Sequence, residues 1–66
     1  MKVQVSQADD ALYFELDDVE VMESEEVQPG VIMDYDATGR LVGIEIVNLS
    51  ARIAPEKLRL MQFETT

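Results

Sequence analysis

The segment DYDATGRLVGIE carries residue types in the order of a calcium-binding loop. The EF-hand pattern places acids at loop positions one and three, an oxygen ligand at five, glycine at six and glutamate at twelve. Those positions hold, in order, Asp34, Asp36, Thr38, Gly39 and Glu45. Such a loop needs a helix on each side, and its final glutamate must close the coordination sphere of the ion. The residue order alone therefore raises a calcium site as a hypothesis.

The residues on either side of this loop alternate with the period of β-strands instead. VIMDY precedes it and LVGIEI follows it, and both are rich in β-branched side chains. In a hairpin, Glu45 would lie several residues up the returning strand, at about 3.3 Å per residue, and could not readily reach an ion at the turn. The sequence thus predicts a hairpin, and Asp34, Asp36 and Thr38 remain a weak candidate site for a divalent cation.

Few side chains could support catalysis. The chain has no histidine and no cysteine, so a histidine-activated serine and a structural zinc site are both excluded. Paired acids, such as Asp34 with Asp36 or Asp9 with Asp10, would serve as acid and base only if burial separated their pKa values. Carboxylates in turns are usually solvated. We therefore predict a non-catalytic protein without a cofactor.

Seven acids crowd the stretch between residues 15 and 26. They are Glu15, Asp17, Asp18, Glu20, Glu23, Glu25 and Glu26. Charge of this density steers a basic partner toward a protein, and we take Glu20, Glu23, Glu25 and Glu26 as candidate contact residues. The same charges also suit a solvated edge strand that resists aggregation. Both interpretations stay open.

Length and composition limit the class of protein. Sixty-six residues form one domain, residues 1–66, and a core of this size supplies about 3–5 kcal/mol. Without cysteine for disulfides, self-association is the common remaining source of stability, so we expect a homo-oligomer. The net charge of −9 disfavours binding to nucleic acid and to anionic membranes. No apolar run approaches the roughly 18–20 residues that cross a bilayer, and a cytoplasmic location is expected.

Short runs of period-two alternation, separated by residues that favour turns, predict five strands. The runs are KVQV, ALYFEL, VEVMESEEV, VIMDY and RLVGIEIV. Short links between successive runs predict antiparallel neighbours in a meander over about residues 2–48. Gly43 interrupts the strongest run, and we expect a large residue such as Tyr13 or Tyr35, or another subunit, to approach it closely.

The alternation changes after Asn48. Ser50 is predicted to cap a helical turn, and Pro55 suits the first position of a short helix, with an alternating strand as the alternative. This C-terminal segment spans about residues 50–66. Its basic residues, Arg52, Lys57 and Arg59, contrast with the acidic middle of the chain. That asymmetry would support head-to-tail contacts, although a solvated helix face explains it equally well.

Taken together, ADDALYFEL, SEEVQPGVIMDYDATGRLVGIEI and NLSARI resemble a small prokaryotic family catalogued as domain of unknown function 2283. The resemblance covers roughly residues 2–53, and the ordered combination is more specific than any one piece. It implies a compact antiparallel sheet with a short C-terminal helical element. It implies no established activity, although some relatives are thought to neighbour toxin-like genes.

These observations predict an α+β, mainly β, fold: a small antiparallel β-meander of four to five strands with a short C-terminal helical segment. One face of the sheet should pack against that segment or against a second subunit. The functional hypothesis is a homo-oligomeric protein-interaction module, and its sharper form is an antitoxin-like partner of a small basic protein. The alternative is weak divalent-cation binding at the turn of Asp34 and Asp36.

Overall fold

The five alternating runs form five antiparallel strands in a computed structural model, which describes all 66 residues. The elements are β1 (Lys2–Ser6), β2 (Ala11–Glu15), β3 (Glu23–Gln28), β4 (Val31–Tyr35), β5 (Leu41–Val47), a 3-10 helix (Leu49–Ala51) and α1 (Pro55–Leu58). The mainly β prediction with a short C-terminal helix is confirmed. Neither helix is long and apolar enough to span a bilayer.

The strand order, β1-β2-β5-β4-β3, departs from a simple meander. Strands β3, β4 and β5 follow one another as hairpins, but β2 pairs with β5 instead of β3. The order is of the Greek-key type. The pairing of β2 with β5 is explained by the apolar side chains of both strands. Ile44 lies opposite Phe14, and Ile46 lies opposite Leu12. A direct pairing of β2 with β3 would have set those apolar residues beside glutamates.

The connection between β2 and β3, residues 16–22, runs past the ends of β5 and β4. The Leu16 N–H donates to the Val42 carbonyl at 2.8 Å, and the Met22 N–H donates to the Tyr35 carbonyl at 2.8 Å. Residues 19–22, the first part of the predicted third strand, therefore belong to the connection, and β3 begins only at Glu23. With β4 as its only partner, this acidic strand lies at the edge of the sheet, as its charges predicted.

Directly paired residues of an antiparallel sheet point to the same face, so the register defines two faces. We call the first the apolar face; it contains Val3, Val5, Leu12, Phe14, Val31, Met33, Ile44 and Ile46. We call the other the polar face; it contains Gln4, Tyr13, Glu15, Ser24, Glu26, Ile32, Asp34, Gly43 and Glu45. The two faces thus differ sharply in character.

Six of 66 residues are buried, and the apolar core consists of four of them: Ala11, Leu12, Val42 and Leu49. Its two most enclosed side chains are Val42 and Leu49, each 1% exposed. Leu49 comes from the 3-10 helix, whereas α1 buries no residue. α1 thus adds no buried layer to the apolar face, whose side chains are half-buried apart from Leu12, which is buried, and Val5, which is 42% exposed.

Asp10 ties the 3-10 helix to the turn between β1 and β2. Its carboxylate accepts hydrogen bonds from the Ser50 N–H at 3.0 Å and from the Ser50 hydroxyl at 2.8 Å, and its carbonyl accepts the Leu49 N–H at 2.9 Å. The prediction that Ser50 caps a helical turn was wrong. The helix begins after Asn48, which lies in the left-handed region at φ 54° and makes no side-chain cap.

Replacing Leu49 by alanine should unfold much of the population. Large-to-small substitutions in a core cost about 2–5 kcal/mol, which is as large as the net stability of a domain of this size, about 3–5 kcal/mol. Urea unfolding followed by circular dichroism measures the loss. Val19→Ala, at a side chain that is 41% exposed, is the control and should change stability by less than about 0.5 kcal/mol. Equal effects of the two substitutions would contradict this account of the core.

Candidate functional site

Side chains from three strands form a hydrogen-bonded line on the polar face, and together with Gly43 on a fourth strand they make up what we call the Asp34 cluster. Asp34 on β4 accepts the Tyr13 hydroxyl from β2 at 3.1 Å and the Ser24 hydroxyl from β3 at 2.6 Å. Gly43 on β5 lies between Tyr13 and Asp34. Asp34 as a residue is only 9% exposed, and a buried carboxylate needs such partners because desolvation penalises an unpaired charge. The cluster therefore joins strands that are not neighbours in the sheet.

Gly43 is the position that lets Tyr13 reach across β5. A Cβ atom at residue 43 would lie 2.9 Å from Cζ of Tyr13, closer still to its hydroxyl oxygen, and 3.3 Å from Oδ2 of Asp34. No side chain of any size fits this space without moving the phenol. The expectation that a tyrosine lies across Gly43 is confirmed, and the residue is Tyr13.

Tyr13 is held as a neutral hydrogen-bond donor. Partial burial raises the pKa of the phenol above its ordinary value of 10.0, and the hydrogen bond to Asp34 adds to the effect. The carboxylates of Asp34, Glu15 and Glu45 raise this pKa further because each disfavours a phenolate nearby. Every buried side-chain oxygen and nitrogen in the protein has a hydrogen-bond partner. The Asp34 cluster thus consists of satisfied groups.

The second candidate carboxylate, Asp36, belongs to a different group of contacts. Its Oδ1 accepts the Thr38 N–H at 2.9 Å, the Thr38 hydroxyl at 2.7 Å and the Arg40 N–H at 3.0 Å. Its Oδ2 lies 3.4 Å from Nε of Arg40. These contacts, with the Thr38 hydroxyl first and the Arg40 N–H next, lower the pKa of Asp36. The carboxylate is thereby used to close the turn between β4 and β5.

The three cation candidates are therefore divided between two groups of contacts. Asp34 points both oxygens at Tyr13 and Ser24, whereas Asp36 and Thr38 bond to each other. No group of three or more acidic side chains is placed to hold a metal ion. Glu45 pairs with Tyr13 and Ile32 within the sheet. The hairpin prediction for this segment is confirmed.

The four candidate partner-binding glutamates are exposed, but they do not form one patch. Glu23 and Glu25 pair with Tyr35 and Met33, and Glu25 therefore points to the side of the apolar face. Glu26 pairs with Ile32 and points to the polar face. Glu20 lies in the connection before β3. Glu23 and Glu25 form a charged border of the apolar face, and we call them the acidic border.

The sequence did not indicate that Tyr13 and Ser24 would share Asp34. Tyr13 is 21 residues from Asp34 along the chain and lies two strands away from it. Only the pairing of β2 with β5 brings them together. The sequence also did not indicate the structural role of Asp10. In the structure its φ is 50°, in the left-handed region that few non-glycine residues adopt.

Most of the chain matches a known protein family. Residues 2–50 match the model of the family described as Protein of unknown function (DUF2283). The chain belongs to this family. The match includes all five strands of the DUF2283 sheet, the Asp34 cluster and Leu49, and it ends before α1. No curated protein and no solved structure matches the chain.

Gly43→Ala should destabilise the DUF2283 sheet by about 1–3 kcal/mol, because the new methyl group displaces Tyr13 from Asp34. The cost should shrink in a Tyr13→Leu background, where the phenol is absent. Thermal unfolding of the four proteins in this double-mutant cycle measures the coupling. Gly43→Ala with the same cost in both backgrounds would show that Tyr13 does not matter at this position.

Alkaline stability should depend on Tyr13. The folded protein holds the phenol proton more tightly than the unfolded chain, so the stabilisation is fully present below about pH 10 and is lost as pH rises through the raised pKa. Tyr13→Phe should flatten this decline, as measured by urea midpoints across the alkaline range. Tyr35→Phe, which keeps the Tyr13 phenol, is the matched control. A decline that persists unchanged in Tyr13→Phe would refute the assignment.

Proposed function

We propose that this DUF2283 protein is a non-catalytic interaction module whose working form is a homo-oligomer. The half-buried apolar face is the observation that carries the proposal. Phe14, Ile44 and Met33 lie side by side across three strands of that face, and α1 buries none of its residues against them. A sheet with one apolar face needs a second layer, and a second copy of the chain provides one.

The accessible surface supports this reading. The protein exposes 5218 Å², whereas a compact monomer of 7.4 kDa is expected to expose about 4,200 Å². The excess is about 1,000 Å². A stable interface of standard size buries about 800 Å² on each partner. The surplus surface is therefore of the size that a dimer interface removes from water.

The absence of catalytic activity is proposed from the chemistry of the side chains. The chain has no histidine or cysteine, and the Ser24 hydroxyl donates its hydrogen bond to Asp34. Asp34 is itself a structural acceptor for Tyr13. These residues fix the sheet, and no nucleophile with an activating base remains.

A basic partner protein is the second candidate, in the antitoxin-like sense. It is favoured by β3, whose residues are all exposed and whose outer edge is unpaired. A basic strand added at this edge would gain backbone hydrogen bonds as well as charge contacts. The same net charge of −9 argues against nucleic acid and anionic membranes as partners.

Weak cation binding at the turn of Asp34 and Asp36 is disfavoured as an alternative. A cation there would have to displace the three hydrogen bonds on Oδ1 of Asp36. Calcium at millimolar concentration should accordingly leave the melting temperature unchanged, and a clear rise would revive the alternative.

The oligomer proposal is tested by placing a charge at the centre of the apolar face. The wild-type protein should elute as a dimer or larger species in size-exclusion chromatography with light scattering, and Ile44→Lys should shift it toward monomer. Ile32→Lys is the matched control, because Ile32 is equally half-buried but lies on the polar face between Glu26 and Glu45. A wild-type protein that is monodisperse as a monomer at high micromolar concentration would overturn the proposal.

A further inference from the structure

The chain carries a second apolar surface that nothing covers. It lies after α1, where Leu60 is 74% exposed, Met61 41% and Phe63 73%. Single exposed apolar residues are ordinary, but three of them within four positions are not accounted for by any contact in one copy. We call residues 57–63 the C-terminal arm.

The C-terminal arm is also the basic part of an acidic protein. The protein has five lysines and arginines in all, and two of them are engaged elsewhere. Arg40 pairs with Asp17 at 2.8 Å, and Arg52 donates to the Pro29 carbonyl at 2.6 Å. Lys57 and Arg59, both in the arm, form no ion pair. The arm therefore combines exposed apolar side chains with two uncommitted positive charges.

The apolar face has the complementary arrangement. Its half-buried side chains run from β1 to β4, and the acidic border on β3 limits it on one side. Glu23 and Glu25 form no ion pair either. An occupant that matched this surface would be apolar along most of its length and basic where it met β3, which describes the C-terminal arm.

The position of α1 favours an arm from a second copy over the chain's own arm. Pro55, Leu58 and Arg59 line a groove with Val5 and Leu49 at the β1 side of the sheet. The acidic border lies on the opposite edge, four strand spacings or about 19 Å away. Within one copy the arm leaves this groove with Leu60 and Phe63 still about three-quarters exposed.

We infer that the C-terminal arm of one copy docks on the apolar face of a second copy, with Lys57 and Arg59 beside the second copy's acidic border. The inference rests on the proposed homo-oligomer and names its contact. A two-fold axis makes the exchange reciprocal, so each copy gives one arm and receives one, and the assembly closes as a dimer. The contact also relieves repulsion between two chains that each carry a charge of −9.

Charge exchange between the two surfaces tests the contact. Lys57→Glu with Arg59→Glu should weaken the dimer at least about tenfold, measured as a dissociation constant by sedimentation at low salt. Adding Glu23→Lys and Glu25→Lys to that protein should restore the affinity. Glu26→Lys, on the polar face, is the matched control and should leave the dimer unchanged.

Removal of the apolar part of the arm is the second test. A chain ending at Leu58 should become monomeric while circular dichroism still reports the sheet. A dimer whose affinity survives both the truncation and the charge reversal overturns the arm contact but leaves the homo-oligomer in place. A monomeric wild-type protein overturns both. If the truncated chain fails to fold, the charge-reversal and restoration series decides alone.

Discussion

The pairing of β2 with β5 is the contact on which the rest of the structure depends. It joins the β1–β2 hairpin to the three-stranded unit of β3, β4 and β5. It also places Tyr13 beside Gly43, so that the phenol can cross β5 to Asp34. Without this pairing the protein would consist of two small sheets, and a two-stranded hairpin alone is only marginally stable in water.

Much of the local structure could be predicted because the signals that specify it are local. Period-two alternation places the strands, and Gly30 and Gly39 supply the positive φ values of 81° and 84° that their turns need. The charge of β3 indicated an edge strand. Gly43 in a strand interior indicated the close approach of a large residue. In each case the physical cause lies within a few residues of the signal.

The strand order and the partners of Asp34 could not be predicted in the same way. Short links favour pairing between successive strands, but apolar side chains on β2 gain more from Ile44 and Ile46 than from the glutamates of β3. That preference depends on residues about 30 positions apart in the chain. The hydroxyl partners of Asp34 follow from the order of the strands, so the candidate site could not be assembled before the order was known. Family membership leaves the function open.

The two faces of the sheet differ in how completely one copy of the chain satisfies their side chains. On the polar face the Asp34 cluster satisfies its own charges and hydroxyls, and it needs nothing from outside. On the apolar face most side chains are half-buried, and α1 buries no residue against them. Under the proposed homo-oligomer a second chain supplies the covering layer, and the acidic border selects a basic segment.

The connection across the end of the sheet also has a kinetic consequence. The hairpins β1–β2 and β3–β4–β5 can each form from local segments within about microseconds, but β2 must find β5 across the chain from residue 15 to residue 41. Such non-local closure is slow relative to hairpin formation. During that interval the inner edges of β2 and β5 present unpaired backbone N–H and C=O groups. An open strand edge is a template for pairing with another chain, so strand exchange competes with folding most strongly in this interval.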